Sequence, residues 1–258
     1  MSSIRETWEK RAKANQYDLA GVLFRNLSIK ANKAIHNWHW WIVKQILLPR
    51  IPSGGRLLDL GGGYGRLGSL VSRERPDIEL VGQDLALSYC RLYRDVTPCV
   101  QGSMFSLPFA EASFDGVLAI TCLMYGQHQV FEALKGIHLV MKPGGVLLAL
   151  DPGKEMQQVI SFVRRRKSES PTGGIGFRLA EYISACQRAG FRIVSTGGNP
   201  FLSMALLMPG VAASSKQKVE ALLAWVSRRD QFESGYSALA LHRWMLGVKE
   251  SAATAFIG

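Results

Sequence analysis

The sequence predicts an α/β fold: a seven-stranded, mainly parallel sheet with helices on both faces, preceded by a helical extension. Short apolar runs alternate with amphipathic stretches from residue 56 to 150, the pattern of repeated βαβ units with right-handed crossovers. A glycine cluster stands between the first apolar run and the next helical stretch. A length of 258 residues, 47% of them hydrophobic, suits one large core.

Taken in order, residues 3 to 48 carry two helical patterns separated near Gly21 and no strand. Pro49, Pro52, Ser53, Gly54 and Gly55 then break the helix. Strands are expected near 56–60, 78–83, 97–101, 114–121 and 145–150, with helices near 65–75, 86–94 and 128–141. After Asp151 the rhythm changes. A helix over 155–166 leads into the loose stretch SESPTGGIG, expected to be a mobile loop at a site mouth. A helix over 178–189, a strand at Phe191–Ser195, an apolar segment 201–208, a helix over 215–230 and a last strand near 238–248 complete the order. The expected organisation is an extension or lid at 1–48, a main domain at 49–248 and a tail at 249–258. Within the main domain, 151–177 and 201–230 are read as substrate-side insertions.

Thirty-one Lys and Arg against 20 Asp and Glu leave a net charge of +11, which favours phosphates, carboxylates or anionic lipid heads as partners. The basic residues are dispersed, and the one tight run, Arg164 to Lys167, reads as a solvated helix end or an anion contact. Cys90, Cys99, Cys122 and Cys186 form no CxxC pair, so neither zinc nor a disulfide framework is indicated, and a reducing cytoplasm fits. The charged start and the interrupted apolar stretches argue against a signal peptide or a membrane span.

The segment carrying the chemistry is Leu57-Leu58-Asp59-Leu60-Gly61-Gly62-Gly63-Tyr64-Gly65-Arg66-Leu67-Gly68, a buried strand, a glycine turn and a helix start. Glycines admit positive φ and close ligand approach, and a helix start offers unpaired N–H groups, so a nucleotide-like ligand is expected. Gly63-x-Gly65-x-x-Gly68 also meets the dinucleotide fingerprint, with Asp84 near the spacing of a ribose-binding acid, so the pattern alone does not decide. Asp59 discriminates by charge: it would repel a pyrophosphate and favour a cationic ligand end. As alternatives, Asp59 could be a strand-end turn residue and Asp84 a helix N-cap.

With Val81-Gly82-Gln83-Asp84, Leu107-Pro108-Phe109 with Ser113-Phe114-Asp115, and Met141-Lys142-Pro143-Gly144-Gly145 following in order, the chain resembles the class I S-adenosylmethionine-dependent methyltransferases. It is similar to their small-molecule branch of ubiquinone-biosynthesis type. The resemblance implies a Rossmann-like fold and S-adenosylmethionine as donor, with S-adenosylhomocysteine as product. It places Asp59, Gly61 and Gly63 at the methionine end, Asp84 at the ribose, and Ser103 and Met104 at the adenine, with Leu85 a further donor contact. Many relatives carry an acid where Ser103 stands. Thr121 falls beside the methionine portion, and Tyr17 resembles a tyrosine that folds over the donor. Lys142–Gly145 reads as a structural turn.

Transfer from a sulfonium relies on positioning and water exclusion and needs no metal, and no paired carboxylates accompany Asp151. If a base is used, His128 at the carboxyl edge of the sheet is its candidate, the other reading being a solvated helix start; His138 and His242 look structural. In His36-Asn37-Trp38-His39-Trp40-Trp41, residues on one helix face either pack the extension or cover a substrate; His36 and Trp40 from this segment, with Tyr125 from further along the chain, are the candidate substrate contacts. The expected acceptor is a small molecule, a biosynthetic or secondary-metabolite intermediate, with a lipid or lipid-linked sugar as a variant. RNA modification is suggested by charge alone: no RNA-binding module is evident, and Thr121-Cys122-Leu123-Met124 stands where an Asn/Asp-Pro-Pro-aromatic tetrad would be. A donor-binding protein without transfer activity is the third reading.

Overall fold

A computed structural model describes residues 4–164, 174–231 and 239–250. The extension forms α1 (Ile4–Asn15), a short α2 (Leu19–Val22) and α3 (Ile29–Ile42), which continues through a π turn, Val43–Leu47, to Arg50. Asp18 caps α2 by accepting from the Ala20 N–H, and Ser28 caps α3 by accepting from that of Ala31. Gly21 therefore lies inside a helical turn, and the expected break falls on either side of it.

The main domain follows as β1 (Arg56–Leu60), α4 (Gly68–Glu74), β2 (Glu79–Asp84), α5 (Leu87–Tyr93), β3 (Cys99–Gln101), β4 (Phe114–Ile120), α6 (Val130–Val140), β5 (Met141–Pro152), α7 (Lys154–Arg164), α8 (Leu179–Arg188), β6 (Phe191–Gly198), α9 (Pro200–Leu207), α10 (Gln217–Arg229) and β7 (His242–Lys249). The seven strands lie in the order β3-β2-β1-β4-β5-β7-β6. β1 to β5 run parallel, and β7 is antiparallel to both β5 and β6. The apolar segment 201–208 is the helix α9. The Lys142–Gly145 turn lies within β5 as a register shift, Phe114 pairing with Met141 and Gly116 with Val146.

Alternating strand residues feed two cores. Leu58, Val117, Ala119 and Leu147 face α6 and α8, which contribute Leu134, Ile137, Tyr182 and Cys186. Leu57, Leu118, Leu148 and Trp244 face the other way, onto Trp38, Ile42, Val43 and Leu47. The end of α3 is thus one of the layers covering the sheet, with Trp38 fully buried and its indole N–H donating to the Asp230 carbonyl at 3.1 Å. Of the two readings of the tryptophan segment, packing is what the contacts display: Trp38 is core, and Trp40 and Trp41 pack against that core. A third cluster joins α3 to α9 and α10 through Ile35, Leu202 and Leu223.

Because the chain steps from β1 to β2 to β3 in one direction and returns to β4 on the other side of β1, a crevice opens beyond the carboxyl ends of β1 and β4. Among the described residues, no helix is long and apolar enough to cross a membrane.

Candidate donor and acceptor cavities

The crevice holds a cavity of about 280 Å³. β1 ends in Asp59 and Leu60, and the backbone then turns through Gly61 and Gly63, whose φ values of 65° and 60° disfavour any side chain. A Cβ on Gly61 would stand 2.6 Å from that of Cys122. The helix α4 starts only at Gly68, later than expected, because residues 61–67 are used in this turn. Asp59, Gly61, Gly63, Asp84, Leu85, Ser103, Met104 and Thr121 all line the cavity. The structure thus brings these eight sequence-derived candidates together.

Both acids are buried, and burial pushes each carboxyl up to about 6. Asp59 accepts from the Tyr93 hydroxyl at 2.7 Å. Asp84 accepts from Ala86 N–H at 2.8 Å and from Gly63 N–H at 2.9 Å, which ties the end of β2 to the glycine turn. Each Asp84 oxygen keeps a lone pair for a ligand hydroxyl. Ser103 Oγ accepts from the Phe105 N–H, so its hydroxyl serves its own loop.

Tyr93 was not anticipated from sequence. Its ring is fully buried, and a Cβ on Gly62, Gly68 or Gly82 would overlap it. Part of the glycine motif therefore makes room for the tyrosine that orients Asp59 rather than for a ligand. Arg66 was also missed. It is buried, lines the cavity, and donates to His36 Nδ1 and to His39 Nδ1, each at 3.0 Å. Both imidazoles must accept there, so each carries its proton on Nε2, and His39 then donates to His242 Nδ1 at 3.0 Å. Burial, reinforced by Arg66, lowers His36 to about 4 and His242 to about 3, so this chain stays neutral near pH 7. His36 is accordingly a partner of Arg66, not a cavity residue.

Thr121 has φ of 55°, strained for a β-branched residue, and its N–H donates to Leu150 O at 2.6 Å. It lines both the first cavity and a neighbouring one of about 210 Å³; Val22 and Tyr125 are the other shared residues. The second cavity is walled by residues of 22–27, 152–160 and 203–207, with Met124, Leu241 and His242.

Three further candidates fall elsewhere. After Tyr125 the chain turns again over Gln127–Gln129, with Gln127 at φ of 45°, which leaves His128 exposed and lining neither cavity. Tyr17 is half exposed, donates to Asp95 and meets Tyr64 edge-on, again outside both linings. Trp40 packs on the sheet. In place of Tyr17, α1 contributes Ile4 and Trp8 to the first cavity, fixed there by Glu9, which accepts from the Leu87 and Ser88 N–H groups at the start of α5. No sequence signal marked Trp8, since its place follows from how α1 docks. Asp151 accepts from Met124 N–H and the Tyr182 hydroxyl and holds the loop after β4. Among the described residues, no group of three His, Cys, Asp or Glu could hold a metal. Arg165 to Lys167 and most of SESPTGGIG lie outside the described residues.

A methyltransferase domain family matches residues 58–149, the segment that builds the first cavity. The sequence is 33% identical over 131 residues to a ubiquinone/menaquinone biosynthesis C-methyltransferase of Pseudomonas paraeruginosa, 47% of this chain and 51% of that protein. It is 26% identical over 135 residues to a demethylmenaquinone methyltransferase of Symbiobacterium thermophilum, 48% of this chain and 53% of that protein. The chain thus spans about half the length of these curated relatives. A SAM-dependent methyltransferase of Thermotoga maritima shares the fold at a TM-score of 0.65 and 17% identity, covering 96% of this chain and 100% of that one. So does a phosphoethanolamine N-methyltransferase of Haemonchus contortus in complex with S-adenosyl-L-methionine, at 0.63 and 18%, covering 97% of this chain and 61% of that one.

Proposed function

Starting from a chain that belongs to the class I methyltransferase superfamily, we propose that it transfers a methyl group from S-adenosylmethionine to a small-molecule acceptor, a biosynthetic or secondary-metabolite intermediate. The observation carrying this reading is the meeting of two cavities at Thr121 and Tyr125, one lined by paired acids and glycine N–H groups, the other mostly apolar. The residues present fit the donor. A buried carboxylate at Asp59 favours a cationic ligand end, and Asp84 has acceptor capacity for two hydroxyls. When bound, the donor supplies an activated methyl group.

The protein's contribution is then positional. Tyr93 holds Asp59, Asp84 holds the glycine turn, and Ile4 and Trp8 cover the cavity against water. Among the described residues, neither cavity presents a carboxylate or an exposed histidine at Thr121 or Tyr125 as a general base, which favours an acceptor that is nucleophilic without one. The apolar second cavity also supports a lipid-like acceptor as a second reading.

Incubation with methyl-labelled S-adenosylmethionine and fractionated cell extract tests this reading. Label in a small, extractable product supports it. Label confined to RNA or protein, or no transfer across all fractions, overturns it.

A further inference from the structure

The second cavity is apolar along Phe24, Leu27, Met156, Ile160 and Leu206, yet two arginines, Arg11 and Arg25, also line it. Arg11 comes from the last turns of α1 and is only 6% exposed. Its one hydrogen bond among the described residues is a long one, Nη2 to Leu23 O at 3.5 Å, and its Nε has no partner. The guanidinium lies 4.8 Å from the centroid of the Trp8 ring, and Trp8 in turn meets Tyr125 edge-on at 5.4 Å. Arg11 therefore stands where the two cavities join.

Among the described residues, no acidic residue lines the second cavity and neither arginine has an ion pair. A guanidinium taken out of water without a counter-charge is costly, and a second one nearby adds repulsion. Burial, with the charge of Arg25, holds Arg11 below its ordinary pKa. Elsewhere in the fold buried cations are compensated: Arg243 pairs with Glu155 at 2.6 Å, and Arg66 is held by two imidazoles. At Arg11 the described protein supplies nothing equivalent.

We infer that the second cavity is a site for an amphipathic anion, an apolar body whose carboxylate or phosphate is held by Arg11 and Arg25. This deepens the proposed function by naming the acceptor class, and it rests on the methyltransferase reading only for the statement that this ligand is the acceptor. An arginine fork matches the planar oxygens of a carboxylate or phosphate, and the apolar wall selects against small inorganic ions. Carboxylate and phosphate share this chemistry.

The test is calorimetric titration of the full chain, with and without saturating S-adenosylhomocysteine, using 3-phenylpropionate, 3-phenylpropyl phosphate and uncharged 3-phenylpropanol. At least one anion is expected to bind tenfold or more tightly than the alcohol, and the arm with the larger preference identifies the head group. Arg11→Gln should reduce that preference to threefold or less while leaving alcohol binding unchanged. Should Arg11→Gln fail to fold, Arg25→Gln carries the test, since Arg25 is exposed; it should lower the preference at least threefold. Equal binding of anions and alcohol by the native chain, or an unchanged preference in folded Arg11→Gln or in Arg25→Gln, overturns the inference. Absence of S-adenosylhomocysteine binding would instead strike the methyltransferase reading, while the anion preference is still read in the titration without it.

Discussion

Replacing Asp59 by Asn changes one charge in a site where shape can be kept. The Asn carbonyl can still accept from the Tyr93 hydroxyl, and nothing needs to move around Gly62. The carboxyl is pushed from its ordinary 3.8 to about 6, chiefly by burial. At about 1.4 kcal/mol per pH unit this corresponds to about 3 kcal/mol against the ionised form. Between pH 4 and 6 the folded chain holds this proton more tightly than the unfolded one, so the group's contribution to stability falls as pH rises through that window. Above pH 6 the whole cost is present. Asp59→Asn should therefore be more stable than the native chain by at most about 3 kcal/mol at pH 7.5, and the two should converge near pH 4. Donor affinity should move the other way, S-adenosylmethionine binding weakening by about 1.5–3 kcal/mol, the value of a hydrogen bond to a charged group. Urea unfolding at the two pH values and calorimetric titration read both effects. A variant less stable than native at pH 7.5, or one that binds the donor equally well, would refute the assignment of Asp59 as a strained, ligand-facing carboxylate.

Asp84→Ala removes acceptors from the Gly63 and Ala86 N–H groups as well as from a ligand, so affinity for S-adenosylhomocysteine should fall by about 1–3 kcal/mol, checked by titration of the folded variant. Gly68→Ala would press a methyl group into the Tyr93 ring and should destabilise by about 1–3 kcal/mol, measured by chemical unfolding, with donor affinity reduced because Tyr93 holds Asp59. Trp38→Ala empties a fully buried position and should cost about 3–5 kcal/mol in the same assay, and removal of residues 1–48 should leave no cooperative unfolding transition.

What the sequence conveyed depended on whether a signal was local. Strands β1 to β5 were legible because parallel strands buried on both faces read as apolar runs, and Asp59, Gly61, Gly63 and Asp84 because they lie at strand ends that the topology brings together. A stripe of tryptophans at helical spacing looks the same whether it covers a ligand or a sheet, and only the docking of α3 beneath Trp244 and Leu148 distinguishes the two. His128 follows β4 closely in sequence, but two successive tight turns carry it outward. Tyr93, Trp8 and the chain Arg66–His39–His242 join elements 27 to 203 residues apart, so no pattern within one element could reveal them. Arg11 and Arg25 counted only toward the net charge until the fold placed them on one apolar cavity.

Side-by-side calorimetric titrations with S-adenosylhomocysteine and NAD distinguish a cavity beyond β1 and β4 that holds S-adenosylmethionine from one that holds a dinucleotide. Saturable binding of S-adenosylhomocysteine at one site per chain, weakened in Asp84→Ala, is expected, with no comparable binding of NAD, because a pyrophosphate would meet the buried Asp59 carboxylate. Micromolar NAD binding, or no S-adenosylhomocysteine binding by the folded chain, would contradict the S-adenosylmethionine assignment.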